Sequence, residues 1–196
     1  MRAMMLTGIR QMQPMEVPEP RLQNADDVLL QVNTVGVCGS DVHYFLHGRI
    51  GCQVVKYPYR VGHEFAGTVL AVGSAVTNLS PGVRVAVDPA MSCGACDQCA
   101  AGRRHTCRRL RFLGCPGQAE GCLADRIVMP AACCFPVRSS TTLEEAAIAE
   151  PLSIGVYATR SAPGLQGSRI GILGCGPIGL SVLIAARAAG AAAIYA

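Results

Sequence analysis

The chain has 196 residues, 51% of them hydrophobic, with 17 basic and 13 acidic residues for a net charge of +4. So apolar a composition excludes wholesale disorder and supports a sizeable core, in one large domain or in one domain and part of another. Aromatics are only 5%, too few to interleave with the one basic cluster (Arg103, Arg104, Arg108, Arg109 and Arg111), so a nucleic-acid partner is not expected.

The N-terminal segment Met1-Arg2-Ala3-Met4-Met5-Leu6 lacks a long apolar stretch before Thr7, Arg10 and Gln11, and no run reaches membrane-spanning length. Eleven cysteines without a leader point to a reducing compartment, and we place the chain in the cytoplasm, with no membrane partner. Residues 1–35 read as β, with a strand opening at Met4 and a loop of extended pieces marked by Pro14, Pro18 and Pro20. A strand is predicted from Val28 to Gly36, and Ser40 or Asp41 can cap a short helix reaching Leu46.

Between strand and helix lies Cys38, and after a loop come His63 and Glu64. One thiolate, one imidazole and one carboxylate make three protein ligands with a fourth position open, the pattern of a catalytic zinc. Ser40 and His43 stand close in sequence and could carry a proton away from a molecule bound there. A lone cysteine is also a common small core residue, and a His-Glu pair can simply satisfy its own hydrogen bonds.

Phe65 to Gly73 reads as a strand whose internal Gly67 suggests a bulge or a close backbone approach. With Val83 to Val87, Cys122 to Met129 and Cys133 to Val137 it suggests a barrel-like all-β unit. Inside this unit Cys93, Cys96, Cys99 and Cys107 follow C-x2-C-x2-C-x7-C, and four thiolates in one loop can close a structural zinc site. An iron–sulfur cluster would have a shorter last gap followed by proline; disulfides or free thiols are the other readings. Cys52, Cys115, Cys122, Cys133, Cys134 and Cys175 show no ligand spacing and read as small core or surface residues.

Thr142-Leu143-Glu144-Glu145 is a capping box that starts a helix, which Pro151 is expected to end or kink, leaving Glu150 at a break between elements. A helix-end carboxylate in water is the plain alternative for Glu150. A buried strand from Ser168 to Leu173 then runs into Gly174-Cys175-Gly176-Pro177-Ile178-Gly179. This is a complete G-x-G-x-x-G between a strand and a helix, the setting that cradles a dinucleotide pyrophosphate. A second parallel strand is predicted over 191–196.

Taken together, Val37-Cys38-Gly39-Ser40-Asp41-Val42-His43-Tyr44, Gly48-Arg49-Ile50-Gly51, Gly62-His63-Glu64, Glu150-Pro151-Leu152-Ser153 and Gly174 to Gly179 resemble the zinc-containing medium-chain dehydrogenases, most of all the sorbitol (polyol) branch. The resemblance implies a mixed β and α/β fold: a GroES-like β-barrel catalytic domain over 1–150, with the four-cysteine lobe at 92–108, then an incomplete Rossmann coenzyme-binding domain over 151–196. It implies Cys38, His63 and Glu64 as catalytic-zinc ligands, with Glu150 as a fourth ligand or the partner of the zinc-bound water. Ser40 and His43 would relay the proton, Asp41 would orient His63, and Tyr44, Ile50 and Phe112 would line the substrate pocket. Cys93, Cys96, Cys99 and Cys107 would hold the structural zinc. Gly174, Gly176, Pro177, Ile178 and Gly179 would bind NAD or NADP, between which the sequence does not choose.

The implied reaction is oxidation of a polyol's secondary alcohol to a ketone, with hydride transfer to the nicotinamide. Threonine 3-dehydrogenases and other alcohol dehydrogenases are the neighbouring alternative. Members of the family are commonly homo-oligomers. The chain covers somewhat more than half of such an enzyme. The expectation that follows is a truncated chain in which 1–150 folds and binds zinc, 163–196 is unstable alone, and turnover fails. The alternative of another class is a non-catalytic zinc-binding fragment.

Overall fold

The computed structural model describes residues 1–196. β1 (Arg2–Gly8) and β2 (Gln11–Glu16) form an antiparallel pair, β3 (Asp27–Gly36) leads into α1 (Gly39–His47), and β4 (Arg49–Ile50) pairs with β5 (Gln53–Val54). Next come β6 (Glu64–Val72), β7 (Arg84–Val87), β8 (Ala90–Met91), the single turn α2 (Asp97–Ala100), β9 (Arg111–Phe112), β10 (Arg126–Pro130) and β11 (Cys134–Pro136). The rest carries α3 (Leu143–Ser161), β12 (Arg169–Gly171), α4 (Pro177–Ala188) and β13 (Ala193–Tyr195). Two compact units result, Met1–Ala147 and Ile148–Ala196. No helix is long and apolar enough to cross a membrane.

The first unit is built on a five-stranded antiparallel sheet in the order β10-β3-β6-β7-β11. Alternate side chains of its strands (Val28 and Leu30, Phe65 and Val69, Val85 and Val87, Ile127 and Met129) meet in one buried cluster. Each contributes roughly 1.5–3 kcal/mol by leaving water, so this cluster is the main store of stability. A second cluster of Leu6, Tyr44, Val55, Tyr59 and Val61 lies under α1. Gly67 is both things its sequence position suggests. It sits beside a register shift between Val32 and Thr34, and a Cβ there would come within 2.5 Å of the Gln31 carbonyl oxygen.

Three local expectations are corrected. Pro14 lies inside strand β2, opposite Met4, and not in a loop. β2 pairs on one side only, where a residue without an N–H costs the ladder nothing. The N-cap of α1 is Cys38, not Ser40 or Asp41; Asp41 supplies instead the return half of the cap, accepting the Cys38 N–H at 3.0 Å. Helix α3 starts at the Thr142/Glu145 capping box as expected but continues through Pro151, so Glu150 is within a helix. The turn after Pro151 is secured in its own unit, where Gly155 approaches the Ser181 and Val182 backbone of α4 so closely that a Cβ would collide.

In the second unit β12 and β13 pair in parallel, Ile170 opposite Ile194, around α4. Its buried apolar side chains are Pro151, Ala185 and Ala186, while Leu173, Ile178, Leu180 and Ile184 are exposed. Gly67→Ala is expected to lower the stability of the first unit by about 1–3 kcal/mol, because the added methyl meets backbone that cannot rotate away. An unchanged urea midpoint for that variant would contradict the close approach.

Candidate functional site

The register of β3 on β6 places Gly36 opposite Glu64. The chain then turns at Cys38, and this turn brings Cys38 Sγ, a His63 ring nitrogen and a Glu64 carboxylate oxygen within 4.8 Å of one another. His63 is buried, and Cys38 and Glu64 are half-buried. The Glu64 carboxylate folds over the Cα of Gly36, so a Cβ there would come within 2.4 Å of Oε2 and the Glu64 side chain would have to move. A borderline metal ion such as zinc accepts all three donor types, and the set fits zinc with one position left for another ligand.

Asp41 ties the two donor-bearing segments together. Its Oδ2 accepts the N–H of Cys38 and its Oδ1 the N–H of Gly62, each at 3.0 Å. Gly62 has φ +98°, a conformation open to glycine, and its N–H is thereby aimed at the carboxylate. The expected orientation of His63 by Asp41 is present only as a 3.7 Å approach of Nδ1 to Oδ1, beyond hydrogen-bond reach. The carboxylate is spent on backbone.

The remaining first-unit residues fall into two groups. Phe112, on β9, meets the edge of the His63 ring at 5.4 Å between centroids. Ser40 is half-buried in the first turn of α1, and His43 is exposed one turn later with its ring 4.5 Å from that of His47. Tyr44 and Ile50 belong to the second core cluster. The Tyr44 hydroxyl donates to Gln53 Oε1 at 2.8 Å, and burial pushes its phenol up to about 12. Gln53 carried no signal in the sequence. A cleft of about 420 Å³ beside Asp27, Arg60, Arg111 and Arg126 contains none of the sequence-predicted residues. Glu150 lies in α3, in the second unit.

The sulfurs of Cys93, Cys96, Cys99 and Cys107 also lie within 4.8 Å of one another. Backbone N–H groups supply the polarity that thiolates need: that of Cys93 meets Cys107 Sγ at 3.2 Å, and that of Arg109 meets it at 3.4 Å. The Ala95 N–H holds the Cys93 thiol down at about 6, and those of Arg108 and Cys99 lower Cys96, whereas desolvation pushes Cys99 up to about 11. Arg108 grips Asp97 with two bonds of 2.6 and 2.8 Å, holding that carboxyl down at about 2 and bracing the loop. Four sulfur donors converging from one loop fit a closed zinc site. Cys115, Cys122, Cys133 and Cys134 are buried with their thiols pushed up by desolvation, while Cys52 and Cys175 are exposed.

In the second unit the glycine-rich turn joins β12 to α4. Gly174 has φ +108°, Gly176 is the N-cap of α4, and Pro177 follows at its first turn. Gly179 packs on the Gly174 carbonyl oxygen so tightly that a Cβ would overlap it. At Gly176 an added Cβ would meet nothing within 4 Å, so there is open space beside the start of this 12-residue helix, the end that favours an anion. The turn fits a dinucleotide pyrophosphate.

The family model described as "Alcohol dehydrogenase GroES-like domain" matches residues 24–139. Sorbitol dehydrogenase of Bacillus subtilis is 41% identical over 194 residues, covering 99% of this chain and 54% of its own length. D-xylulose reductase A of Aspergillus niger is 41% identical over 191 residues, with 97% and 53% covered. The crystal structure of galactitol-1-phosphate dehydrogenase from Escherichia coli superimposes with TM-score 0.90 at 30% identity, covering 99% of this chain and 54% of that one. The chain thus spans about half the length of the relatives it matches.

Asp41→Ala is expected to strand the N–H groups of Cys38 and Gly62, at about 1–3 kcal/mol each, and to lower the thermal midpoint of the first unit; a variant as stable as the parent would remove Asp41 from the centre of the site. In metal-free protein, iodoacetamide at neutral pH should label Cys93 well ahead of Cys99. Cys93 is depressed, so its thiolate persists until pH falls through about 6, whereas Cys99 gains its thiolate only near pH 11. Peptide mass spectrometry showing the reverse order would contradict the backbone polarity described.

Proposed function

The chain belongs to the zinc-dependent alcohol dehydrogenase family with a GroES-like domain, and from that premise we propose that it serves oxidation of a secondary alcohol of a sorbitol-like polyol to a ketone, with hydride passed to a nicotinamide dinucleotide. The observation that carries the reading is the convergence of Cys38, His63 and Glu64 beside a buried Asp41 in the fold of that family. Residues 1–150 take the catalytic role and residues 151–196 carry the first part of the coenzyme site.

Cys38, His63 and Glu64 would hold the catalytic zinc and leave the fourth position to the alcohol. When bound, the metal supplies Lewis-acid polarisation of the alcohol oxygen and lowers its pKa. The chain's own groups do the rest. Ser40 Oγ would accept the hydroxyl proton while giving up its own, which the exposed His43 imidazole would take and pass to water. Phe112 shields one side of His63 and would bound the side on which the polyol chain lies, whereas Tyr44 and Ile50 are taken up by the second core cluster. Asp41 keeps the Cys38 and Gly62 backbones in register, so that the ligand atoms stay gathered. The N–H groups at the start of α4 would receive the pyrophosphate, with Gly174, Gly176, Pro177, Ile178 and Gly179 shaping the turn. Cys93, Cys96, Cys99 and Cys107 would hold a second, structural zinc.

Elemental analysis of protein purified without added metal is expected to give two zinc ions per chain, one for each donor cluster. Cys38→Ser and Cys96→Ser should each remove one. A single zinc that survives Cys38→Ser and is lost with Cys96→Ser would overturn the catalytic-site assignment. Sorbitol and xylitol, each offered with NAD and NADP, would then be followed by the absorbance of the reduced nicotinamide.

A further inference from the structure

Helix α1 carries a second arrangement of donors that neither zinc cluster uses. His43 and His47 are four residues apart on one face of the helix, and their rings stand 4.5 Å apart at 54°. Both are exposed, and no hydrogen bond ties either imidazole to the rest of the fold. We propose that His43 and His47 form an exchangeable surface site for a divalent transition-metal ion, distinct from the Cys38/His63/Glu64 and four-cysteine clusters.

The chemistry favours such an ion. Two imidazoles at i and i+4 on a helix are the same spacing by which the H-E-x-x-H helix offers its histidines to zinc. Neutral imidazole suits zinc, nickel and copper, and water fills the positions two protein ligands leave. The helix is fixed at both ends. Asp41 holds the Cys38 N–H at its start, and Gly48 closes it in a left-handed C-cap whose N–H bonds the Tyr44 carbonyl. The helix backbone therefore does not have to be ordered on binding. His47 sits in the last turn, where the helix dipole favours a cation.

The consequence for chemistry rests on the proposed function. An ion bridging the two rings takes the His43 nitrogen that would otherwise accept the substrate proton. Metal in excess of the two zinc sites is thereby an inhibitor, acting through the path of the proton and leaving the zinc in place.

The test uses the full chain with its zinc sites filled, titrated with Ni2+ by equilibrium dialysis and followed by NMR of the histidine rings. One further Ni2+ per chain is expected, with selective broadening of the His43 and His47 signals. His47→Gln removes one of two linked ligands and should weaken that binding by roughly 10²-fold, leaving the zinc content and His63 signals unchanged. Undiminished Ni2+ binding in His47→Gln, or broadening confined to His63 or His105, would overturn the site. The result is independent of the proposed function, since loss of the catalytic zinc shows in the zinc count while the Ni2+ site stands or falls on its own. Where turnover is measured, Ni2+ should inhibit the parent chain and spare His47→Gln; equal inhibition of both would overturn the link to His43.

Discussion

A buried carboxylate is costly unless its oxygens are matched, and Asp41 is matched by two backbone N–H groups from segments more than twenty residues apart in sequence. Bonds of this charge-assisted kind are about twice as strong as neutral ones, so removal of the side chain loosens both ends of the site at once. Asp41 also lies in the first turn of α1, where the helix dipole favours negative charge. The position of Cys38 before the helix and of His63 after Gly62 follows from this one side chain. That is why the 3.7 Å gap between Asp41 and His63 is informative: the carboxylate acts on the frame that presents the ligands, and His63 is held by burial and by Phe112.

The two donor clusters reach similar compactness by opposite routes. The four cysteines lie within one short loop, and local backbone N–H groups polarise their sulfurs. The mixed cluster depends on sheet register. Gly36 faces Glu64 across β3 and β6, and the irregularity near Val32 and Thr34 sets that pairing. A slip of one residue would turn Glu64 to the other face of the sheet and scatter the donors. The core that fixes the register, around Val28, Leu30, Phe65 and Val69, is thus as much a part of the site as the ligands are.

What could be read from the sequence divides along the same line. The cysteine lobe and the glycine-rich turn were legible because their geometry is nearly all local: spacing alone brings the four sulfurs into one loop, and Gly174 and Gly179 shape a single turn. The all-β character of the first unit followed from short strands and glycine turns, and the rest of the fold class from the family resemblance. Pro14 in β2 and the passage of α3 through Pro151 were not legible. Each depends on a neighbour absent from the local pattern, an open strand edge in one case and the packing of Gly155 on α4 in the other. The backbone partners of Asp41 were hidden for a related reason. A carboxylate between a cysteine and a histidine invites a side-chain bond, whereas the fold offers it two better-placed N–H groups. Gln53 gave no sign at all, since its bond to Tyr44 exists only because the β4–β5 hairpin folds back beside α1.

The two units differ in how they hold themselves together, and the difference bears on function. Large side chains fill the first, so its donors are carried on a rigid frame. The second buries little beyond Pro151, Ala185 and Ala186 and leaves Leu173, Ile178, Leu180 and Ile184 in solvent. Parallel strands are stable when both faces are covered, and a pair of three-residue strands supplies few contacts of its own. What fixes the pyrophosphate turn here is short-range: the backbone contact of Gly155 with Ser181, the overlap-limited packing of Gly179 on Gly174, and the Gly176 N-cap of α4. These contacts define the shape of the turn without a large core behind it. The turn is therefore shaped by local backbone contacts, while the metal-binding frame is shaped by a large core.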